Sequence, residues 1–260
     1  MKVVLFCGGL GMRLREYSET IPKPMAEIGY RPILWHVMRY YAHYGYKDFI
    51  LCLGYKGDVI KRYFLDYDEC ISNDFILTNG GRNCELVSSD ISDWSITFAD
   101  TGISSNIGQR LMAIERYLGE DEVFLANYTD ALTDLRLDDY VQHFLNSKKT
   151  ASLLAVKPTQ SFHVISAETN GTVSGIKRLD QSGTWINGGY FVFRRNIFDY
   201  LEQGEELVEQ PFARLIDRGE LISYRFDDFW MAMDTFKDKL VLDEMYARRE
   251  VPWEVWKGLK

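Results

Sequence analysis

The 260-residue sequence predicts an α/β fold: a mostly parallel, Rossmann-like mixed sheet with helices on both faces, plus an inserted hairpin-like segment. A continuous apolar run opens the chain, and strand-like and helix-like patterns then alternate, as is typical of parallel sheets covered on both faces. A polar stretch at residues 66–108 interrupts this alternation. We therefore expect a single domain over residues 1–260, with residues 66–108 inserted and residues 236–260 forming a C-terminal helical tail.

Four elements are expected before the interruption. Residues 3–7 are uniformly apolar, which favours a strand buried on both faces. Apolar residues recur at helical spacing over residues 33–41, and residues 49–53 predict the second strand. A second helix is expected to follow, with Asp58 as its N-cap and its end near Phe64.

The inserted segment, residues 66–108, is rich in Asn, Ser, Asp and Gly. Its only strand candidates are residues 75–78 and 95–99. A segment of this length is too long to be a structureless loop in a compact domain. We expect it to close over a ligand or to contact another subunit, and the aromatic residues Trp253 and Trp256 are further candidates for subunit contacts.

The alternation resumes after the insertion. Leu111, Ile114 and Leu118 share one helical face. Strands are expected at residues 123–126, 152–156, 173–176, 186–193 and 221–226, and helices at 197–201, at 211–218 and from Thr235 or Phe236 onward.

Composition limits the classes of function. The chain is 46% hydrophobic yet has no run of about 20 apolar residues, so we expect no membrane span. The N-terminus lacks a secretory pattern and the four cysteines are scattered, so a cytoplasmic protein with reduced thiols is expected. A formal charge of −8 disfavours nucleic-acid binding. A polyanionic ligand would need a local cluster of cations.

The segment after the first strand supplies such a cluster. Gly8, Gly9 and Gly11 lack Cβ atoms, so their backbone N–H groups can approach phosphate oxygens closely. Arg13 follows the glycines, and Lys23 lies between two prolines that stiffen its backbone. We interpret this segment as a triphosphate site; a glycine-rich turn with surface cations is the alternative.

Two common phosphate-binding loops do not fit this segment. A Walker loop requires Gly-Lys-Ser/Thr, which is absent, and a dinucleotide fingerprint requires a third glycine where the chain has Leu14. The second strand also lacks the acidic residue that holds a ribose in nicotinamide-cofactor enzymes. The loop is therefore of another type.

Two aspartates are candidate ligands for a divalent metal. Asp130 and Asp234 each follow a hydrophobic stretch at a predicted strand end or loop. Phosphoryl chemistry on a nucleoside triphosphate needs carboxylates of this kind to hold Mg²⁺. Asp234 could instead be the N-cap of the last helix, and Asp130 could be an Asx-turn residue.

Motifs dispersed along the chain point to a family. Its opening Gly-Gly-x-Gly-Thr-Arg-Leu and Pro-Lys-Pro-Met are matched at residues 8–14 and 22–25. Further matches lie at residues 33–36, 54–57, 100–102, 110–111, 186–189, 233–235 and 252–256. Over essentially its whole length the chain resembles the sugar-1-phosphate nucleotidyltransferase family, and within it the glucose-1-phosphate cytidylyltransferases.

The resemblance implies a reaction and a set of site residues. An oxygen of a sugar 1-phosphate attacks the α-phosphorus of CTP in line, and pyrophosphate leaves with Mg²⁺ bridging the charged groups. A homo-oligomer is implied as well.

The implied catalytic residues are Arg13, Lys23 and Asp130, and the implied metal ligands are Asp130 and Asp234. The implied nucleotide-binding residues are Leu5, Gly8, Gly9, Gly11, Met12, Arg13, Lys23, Arg110 and Asp130, and the implied acceptor-binding residues are Tyr128, His163, Lys177, Arg178, Asn187 and Gly188. The resemblance also implies that Arg110 and residues 100–108 help to recognise the cytosine; for Arg110, an exposed cation at a helix start is the alternative.

The chain departs from the family pattern at four places. Met12 stands where the family has threonine, and Thr129-Asp130-Ala131 replaces Gly-Asp-Gly. His163 stands at a usual glycine, and Arg178-Leu179-Asp180 replaces Glu-Lys-Pro, whose lysine grips the sugar phosphate. Either Lys177 or Arg178 substitutes for that lysine, or the acceptor is a modified sugar, a cyclitol or another small phosphate. A different nucleoside triphosphate, or a nucleotide-binding regulatory subunit that has lost catalysis, are the remaining alternatives.

Overall fold

A computed structural model describes residues 1–9, 21–65, 67, 74–87, 89–159 and 162–258. The later part of the glycine-rich segment, with Gly11, Met12 and Arg13, lies outside the described residues. The predictions made for these three residues therefore stay predictions.

The described residues form fifteen strands and six α-helices. The strands are β1 Val3–Phe6, β2 Glu27–Ile28, β3 Arg31–Pro32, β4 Asp48–Leu53, β5 Phe75–Thr78, β6 Asn83–Leu86, β7 Ser95–Asp100, β8 Val123–Asn127, β9 Ala131–Thr133, β10 Ala151–Val156, β11 His163–Ala167, β12 Val173–Arg178, β13 Ile186–Arg194, β14 Leu221–Phe226 and β15 Trp230–Ala232. The helices are α1 Ile33–His43, α2 Gly57–Leu65, α3 Ile107–Ile114, α4 Leu137–Ser147, α5 Gln210–Asp217 and α6 Phe236–Ala247.

Seven of these strands form the central sheet, in the order β14-β10-β13-β8-β1-β4-β7. Neighbouring strands are parallel except at β13, which runs antiparallel to both β8 and β10. The prediction of a mostly parallel mixed sheet is confirmed. Because β1 and β8 are parallel neighbours, the segments that follow them leave the same edge of the sheet.

Strand β1 shows why the sheet is covered on both faces. Val3 and Leu5 pack in the core with α1, α4 and α6, whereas Val4 and Phe6 pack on the other face with α3 and α5. All four side chains are buried. A strand with two covered faces needs an apolar residue at every position, and this explains the uniform run at the start of the sequence.

The inserted segment is shorter than residues 66–108. Its last strand, β7, pairs in parallel with β4 and is the edge strand of the central sheet, and α3 begins at Ile107. The inserted hairpin is β5–β6, in which Phe75 pairs with Leu86. The sequence prediction assigned β7 to the insertion because β7 is an edge strand with exposed polar ends, Ser95 and Asp100. It therefore lacks the continuous apolar run of a central strand.

Sequence patterns missed several elements and misplaced others. Helix α4 was not predicted, although its apolar residues recur at helical spacing, and neither were β6, β9, β11 and β15. Helix α2 begins at Gly57, so Asp58 lies in its first turn and is not its N-cap. Asp58 is still favourably placed, because a carboxylate in the first turn complements the helix dipole.

The C-terminal tail is only partly helical. Helix α6 ends at Ala247, and the one helical segment that follows it in the described part of the chain is a short 3-10 turn at Val255–Lys257. Trp253 is 1% exposed and packs against Phe229, with ring centroids 5.7 Å apart. A side chain so deeply buried in its own subunit is not available as a subunit contact. Among the described residues, no helix is both long enough and apolar enough to cross a membrane.

Candidate active site

Three segments meet at the carboxyl ends of the neighbouring strands β1 and β8. The residues after β1 include Gly8 and Gly9, and the residues after β8 include Tyr128 and Asp130. A short 3-10 turn, Lys23–Met25, closes the third side. Together with Ile107 at the start of α3, they enclose a pocket of about 240 Å³. It is lined by Phe6, Cys7, Gly8, Gly9, Lys23, Pro24, Ile107, Tyr128, Thr129 and Asp130.

Lys23 joins the two predicted metal ligands. Its Nζ atom donates to Oδ2 of Asp130 and to Oδ1 of Asp234, at 2.8 Å in each case. The three residues are far apart in the chain, so the fold alone brings them together. The side chains are only 17%, 27% and 32% exposed for Lys23, Asp130 and Asp234, which makes the ion pairs stronger than those on an open surface.

A two-stranded ribbon sets the spacing of the two carboxylates. Strand β9 pairs with β15, with Ala131 opposite Ala232, and the N–H of Met233 donates to the carbonyl oxygen of Asp130 at 2.7 Å. Asp130 and Asp234 therefore lie at the same end of one ribbon. The wide sequence separation and the shortness of both strands explain why no sequence pattern revealed it.

Asp234 is not the cap of α6. Thr235 is the N-cap: its side chain accepts from the N–H of Asp238, and the Asp238 side chain accepts from the N–H of Thr235 in a reciprocal capping box. The alternative interpretation of Asp234 as a helix cap is therefore wrong. Its carboxylate is directed to Lys23 instead.

The charges in this cluster shift one another's pKa values. Desolvation alone would lower the pKa of Lys23, but the two carboxylates outweigh it and raise the pKa, so the ammonium stays protonated. Burial raises the pKa of Asp130, and the negative charge of Asp234 adds to this, against the opposing effect of Lys23. The two carboxylates favour a cation between them.

The pair of aspartates fits Mg²⁺ bound together with a substrate. No group of three or more His, Cys, Asp or Glu side chains that could hold a metal occurs in the part of the chain that the structure describes. Mg²⁺ is commonly held by one or two carboxylates, with phosphate oxygens and water completing its shell. The donor set at Asp130 and Asp234 is of that kind.

Arg110 is buried beneath the glycine segment. It is 1% exposed, and its Nη1 atom donates to Oγ1 of Thr101 at 2.7 Å and to the carbonyl oxygen of Leu53 at 3.1 Å. A Cβ atom at Gly8 would overlap its guanidinium group. The alternative of an exposed cation at a helix start is wrong, because the side chain turns inward to tie β4 and the segment after β7 to the base of the pocket.

Several other predicted residues line the pocket or lie close to it, whereas one lies in the core. Gly8, Gly9 and Tyr128 line the pocket, but Leu5 does not, because its side chain is 0% exposed in the core with α1. An apolar side chain in the middle of a doubly covered strand cannot reach a ligand. Asn187 orders the turn beside Tyr128 by accepting from the N–H of Gly189 at 2.9 Å.

Gly188 is held close to the same wall. It is buried, and its carbonyl oxygen accepts from Nε1 of Trp230 at 2.9 Å. Next to it, the ring of Tyr128 packs so closely on Gly189, which has a φ of +75°, that no Cβ would fit there. The start of β13 therefore forms a tightly packed support for Tyr128.

The remaining acceptor candidates lie on the β11–β12 hairpin. His163, Lys177 and Arg178 are exposed and do not line the pocket described above. His163 lies opposite Arg178 across the hairpin. The Arg178 guanidinium bonds Asp180 through both Nε, at 3.1 Å, and Nη2, at 2.7 Å. Arg178 is therefore engaged by a carboxylate of its own chain.

Sequence reasoning missed several residues of the pocket. Phe6, Cys7, Pro24 and Thr129 were not predicted as site residues. Ile107 lies within residues 100–108, which were predicted to help recognise the base, and Asn106 and Gln109 form the capping box that starts α3 there. Thr129 carries no comparable signal, because its importance lies in its backbone conformation.

Comparison with known proteins places the chain in a family. The Nucleotidyl transferase family matches residues 2–240. The chain belongs to the nucleotidyl transferase family. This nucleotidyltransferase is 37% identical over 257 residues to the glucose-1-phosphate cytidylyltransferase of Salmonella typhi, covering 98% of the chain and 100% of that relative.

Solved structures agree on the fold of this nucleotidyltransferase. Apo-UDP-glucose pyrophosphorylase superimposes with a TM-score of 0.70 at 15% identity, covering 96% of this chain and 99% of the other. HddC from Yersinia pseudotuberculosis superimposes with a TM-score of 0.67 at 19% identity, covering 94% and 99%. At such low identities these likenesses show the fold alone.

Proposed function

We propose that this nucleotidyltransferase couples CTP to a sugar 1-phosphate, glucose 1-phosphate or a relative, and yields a CDP-sugar and pyrophosphate. The observation that carries the proposal is the Lys23–Asp130–Asp234 cluster beside the glycine segment. The choice of CTP and of a hexose phosphate is supported by the 37% identity to a glucose-1-phosphate cytidylyltransferase.

The pocket suits the triphosphate. Gly9 is exposed and a Cβ there would meet nothing within 4 Å, so its backbone is open to a ligand. Backbone N–H groups at the end of a strand are well suited to phosphate oxygens. Lys23 carries the positive charge that a triphosphate and its pyrophosphate leaving group need. Arg13, outside the described residues, is proposed to add a second cation.

Asp130 and Asp234 are proposed to hold Mg²⁺. The ion would neutralise phosphate charge when it is bound. The Lys23 ammonium could then bind either the two carboxylates or the phosphates of the substrates. The chain's own contribution is to hold these three side chains in one place before the substrates arrive, so that little is lost in ordering them.

A second candidate keeps the reaction but changes the acceptor. Arg178 is already engaged by Asp180, and Leu179 cannot pair with a phosphate dianion. The usual lysine of Glu-Lys-Pro is therefore not simply replaced by Arg178, and Lys177, exposed on β12, is the neighbouring cation left to substitute for it. If Lys177 does not take that part, the changed hairpin favours a modified sugar, a cyclitol or another small phosphate as the acceptor.

We also propose that the protein forms a homo-oligomer, because the hairpins β5–β6 and β11–β12 carry exposed apolar residues. Ile76 and Leu77 in β5 are 51% and 58% exposed, and Ile165 and Ile176 in β11–β12 are 59% and 62% exposed. Ile165 and Ile176 are directly opposite each other across their hairpin, and exposed apolar side chains that lie together mark candidate partner contacts. A homo-oligomer would cover them.

Pyrophosphate release from CTP, Mg²⁺ and glucose 1-phosphate tests the function. Asp130→Asn and Asp234→Asn should each abolish turnover while thermal unfolding still shows a folded protein. The matched control is Asp227→Asn, which removes an exposed carboxylate paired with Lys157 and should not change turnover. Near-normal activity of Asp130→Asn would refute the metal assignment.

A further inference from the structure

Thr129 has an unusual backbone conformation next to the active-site carboxylate. Its φ is +65°, and its side chain is 1% exposed. Glycine adopts this left-handed conformation readily, whereas a β-branched residue is rarely found there. The other non-glycine residues at positive φ in the described part of the chain are Lys56, Asn79, Lys148 and Arg249, and none of them is β-branched.

Polar contacts hold Thr129 in this conformation. Its N–H donates to Oδ1 of Asn127 at 2.6 Å, and the Asn127 amide is itself fixed by donating to the hydroxyl of Tyr41 at 3.3 Å. The Thr129 hydroxyl lies 3.0 Å from the carbonyl oxygen of Phe6 and 2.6 Å from that of Tyr128. Surrounding structure that fixes a strained residue so completely is characteristic of functional sites.

The contact with Phe6 connects two parts of the site. Phe6 is the last residue of β1, two positions before Gly8, and Thr129 directly precedes Asp130. The hydroxyl therefore joins the base of the glycine segment to the residue that presents the carboxylate. On its other side, Asp130 is fixed by the bond from Met233 to its carbonyl oxygen.

We propose that Thr129 is a positioning residue for Asp130: its left-handed turn directs the carboxylate toward Lys23, and its hydroxyl keeps that carboxylate in register with the glycine segment. The proposal rests on the proposed function, because Asp130 is the carboxylate assigned to the metal. Outer-shell groups of this kind control how a metal ligand is oriented.

The test compares two hydroxyl-free variants with one that keeps the hydroxyl. Thr129→Gly suits the left-handed turn and so should fold, Thr129→Val retains the shape, and Thr129→Ser retains the hydroxyl. Thr150→Val is the matched control: Thr150 is also a buried threonine, directly before β10 and outside the β9–β15 ribbon, and its hydroxyl donates to Oε2 of Glu220 at 3.0 Å.

Mn²⁺ affinity is the main readout, measured by electron paramagnetic resonance with and without CTP and with no acceptor present. We expect Thr129→Gly and Thr129→Val to weaken Mn²⁺ binding about tenfold and to raise the Mg²⁺ concentration that half-saturates turnover. Thr129→Ser and Thr150→Val should both remain close to the wild type. Thermal unfolding is recorded in parallel, because a purely structural role would lower stability without changing metal affinity.

Two results overturn the proposal. One is a folded Thr129→Gly protein with wild-type Mn²⁺ affinity, and the other is an equal loss of affinity in Thr150→Val. Failure of the proposed function has a different signature: the wild type itself would release no pyrophosphate with any acceptor. The Mn²⁺ titration without nucleotide would still report on Thr129 in that case.

Discussion

The Nζ atom of Lys23 lies 2.8 Å from Oδ2 of Asp130, and the same ammonium bonds Asp234. These carboxylates are thus already neutralised in part by a cation from their own chain. Any divalent ion that binds them must compete with this ammonium for the same oxygens. The ion pair between Lys23 and Asp130 therefore lowers the affinity of the carboxylates for a metal, while the same ammonium is available to bind phosphate.

Replacing Lys23 should separate these two roles. We expect Lys23→Met to lose nearly all turnover, because the phosphates lose a buried cation, yet to bind Mn²⁺ more tightly without nucleotide, because the competing ammonium is gone. Mn²⁺ titration and pyrophosphate release measure the two effects. Lys157→Met, which removes an exposed ion pair with Asp227, is the control and should change neither. Weaker Mn²⁺ binding by Lys23→Met would contradict the competition.

The two glycines after β1 should differ in their tolerance of a methyl group. A Cβ at Gly8 would overlap the Arg110 guanidinium, which is held by two hydrogen bonds, whereas a Cβ at Gly9 meets nothing within 4 Å. Gly8→Ala should therefore cost about 1–3 kcal/mol of folding free energy, as overpacking does. Gly9→Ala should leave the melting temperature unchanged. Equal melting temperatures for the two variants would show that Arg110 moves away without cost.

Replacing Leu179 tests whether the loss of the lysine of Glu-Lys-Pro has changed the acceptor preference. It is half-buried at the start of the turn Leu179–Gln181, where its N–H donates to the carbonyl oxygen of Phe162. Leu179→Lys places a cation where the family has one, and we expect it to raise kcat/KM for glucose 1-phosphate. Leu179→Met is the neutral control of similar length. A drop in kcat/KM confined to the lysine variant would show that the pocket is not a retuned hexose-phosphate site.

His36 should make the stability of the protein depend on pH. It is 1% exposed, its Nε2 atom lies 3.1 Å from the carbonyl oxygen of Ile28, and burial lowers its pKa from 6.5 to about 4. Between these values the unfolded chain binds a proton that the folded chain does not. Stability is therefore full above pH 6.5 and falls as the pH drops toward 4, by about 3 kcal/mol at most.

Urea unfolding at pH 7.0 and pH 5.0 measures this effect. His36→Phe should reduce the loss of unfolding free energy between the two pH values. His43→Gln, at the exposed end of the same helix, is the control and should retain the wild-type pH dependence. An unchanged pH dependence in His36→Phe would assign the effect to other groups.

Sequence patterns predicted the scaffold better than the site. The uniform run at residues 3–7 and the helical spacing at 33–41 gave correct elements, because nearly every residue in both segments is buried. Edge and ribbon strands such as β7 and β15 were misassigned or missed, because their partners lie far away in the chain. Short strands contain too few residues for a period to appear.

The site residues show the same contrast. Asp130 and Asp234 were predicted individually, but nothing in the sequence indicated that Lys23 bridges them or that Thr235 releases Asp234 from a capping role. Arg110 was predicted to contact the nucleotide, and its burial depends on a close approach to Gly8 that sequence cannot reveal. Contacts between distant segments are properties of the fold.

The most direct test of the central claim is pyrophosphate release from CTP and Mg²⁺ across a panel of acceptors that includes glucose 1-phosphate, other hexose 1-phosphates and cyclitol phosphates. The account predicts turnover with glucose 1-phosphate or a close relative, and its loss in Asp130→Asn. CTP binding without turnover on any member of the panel would contradict it and would assign the chain a regulatory role.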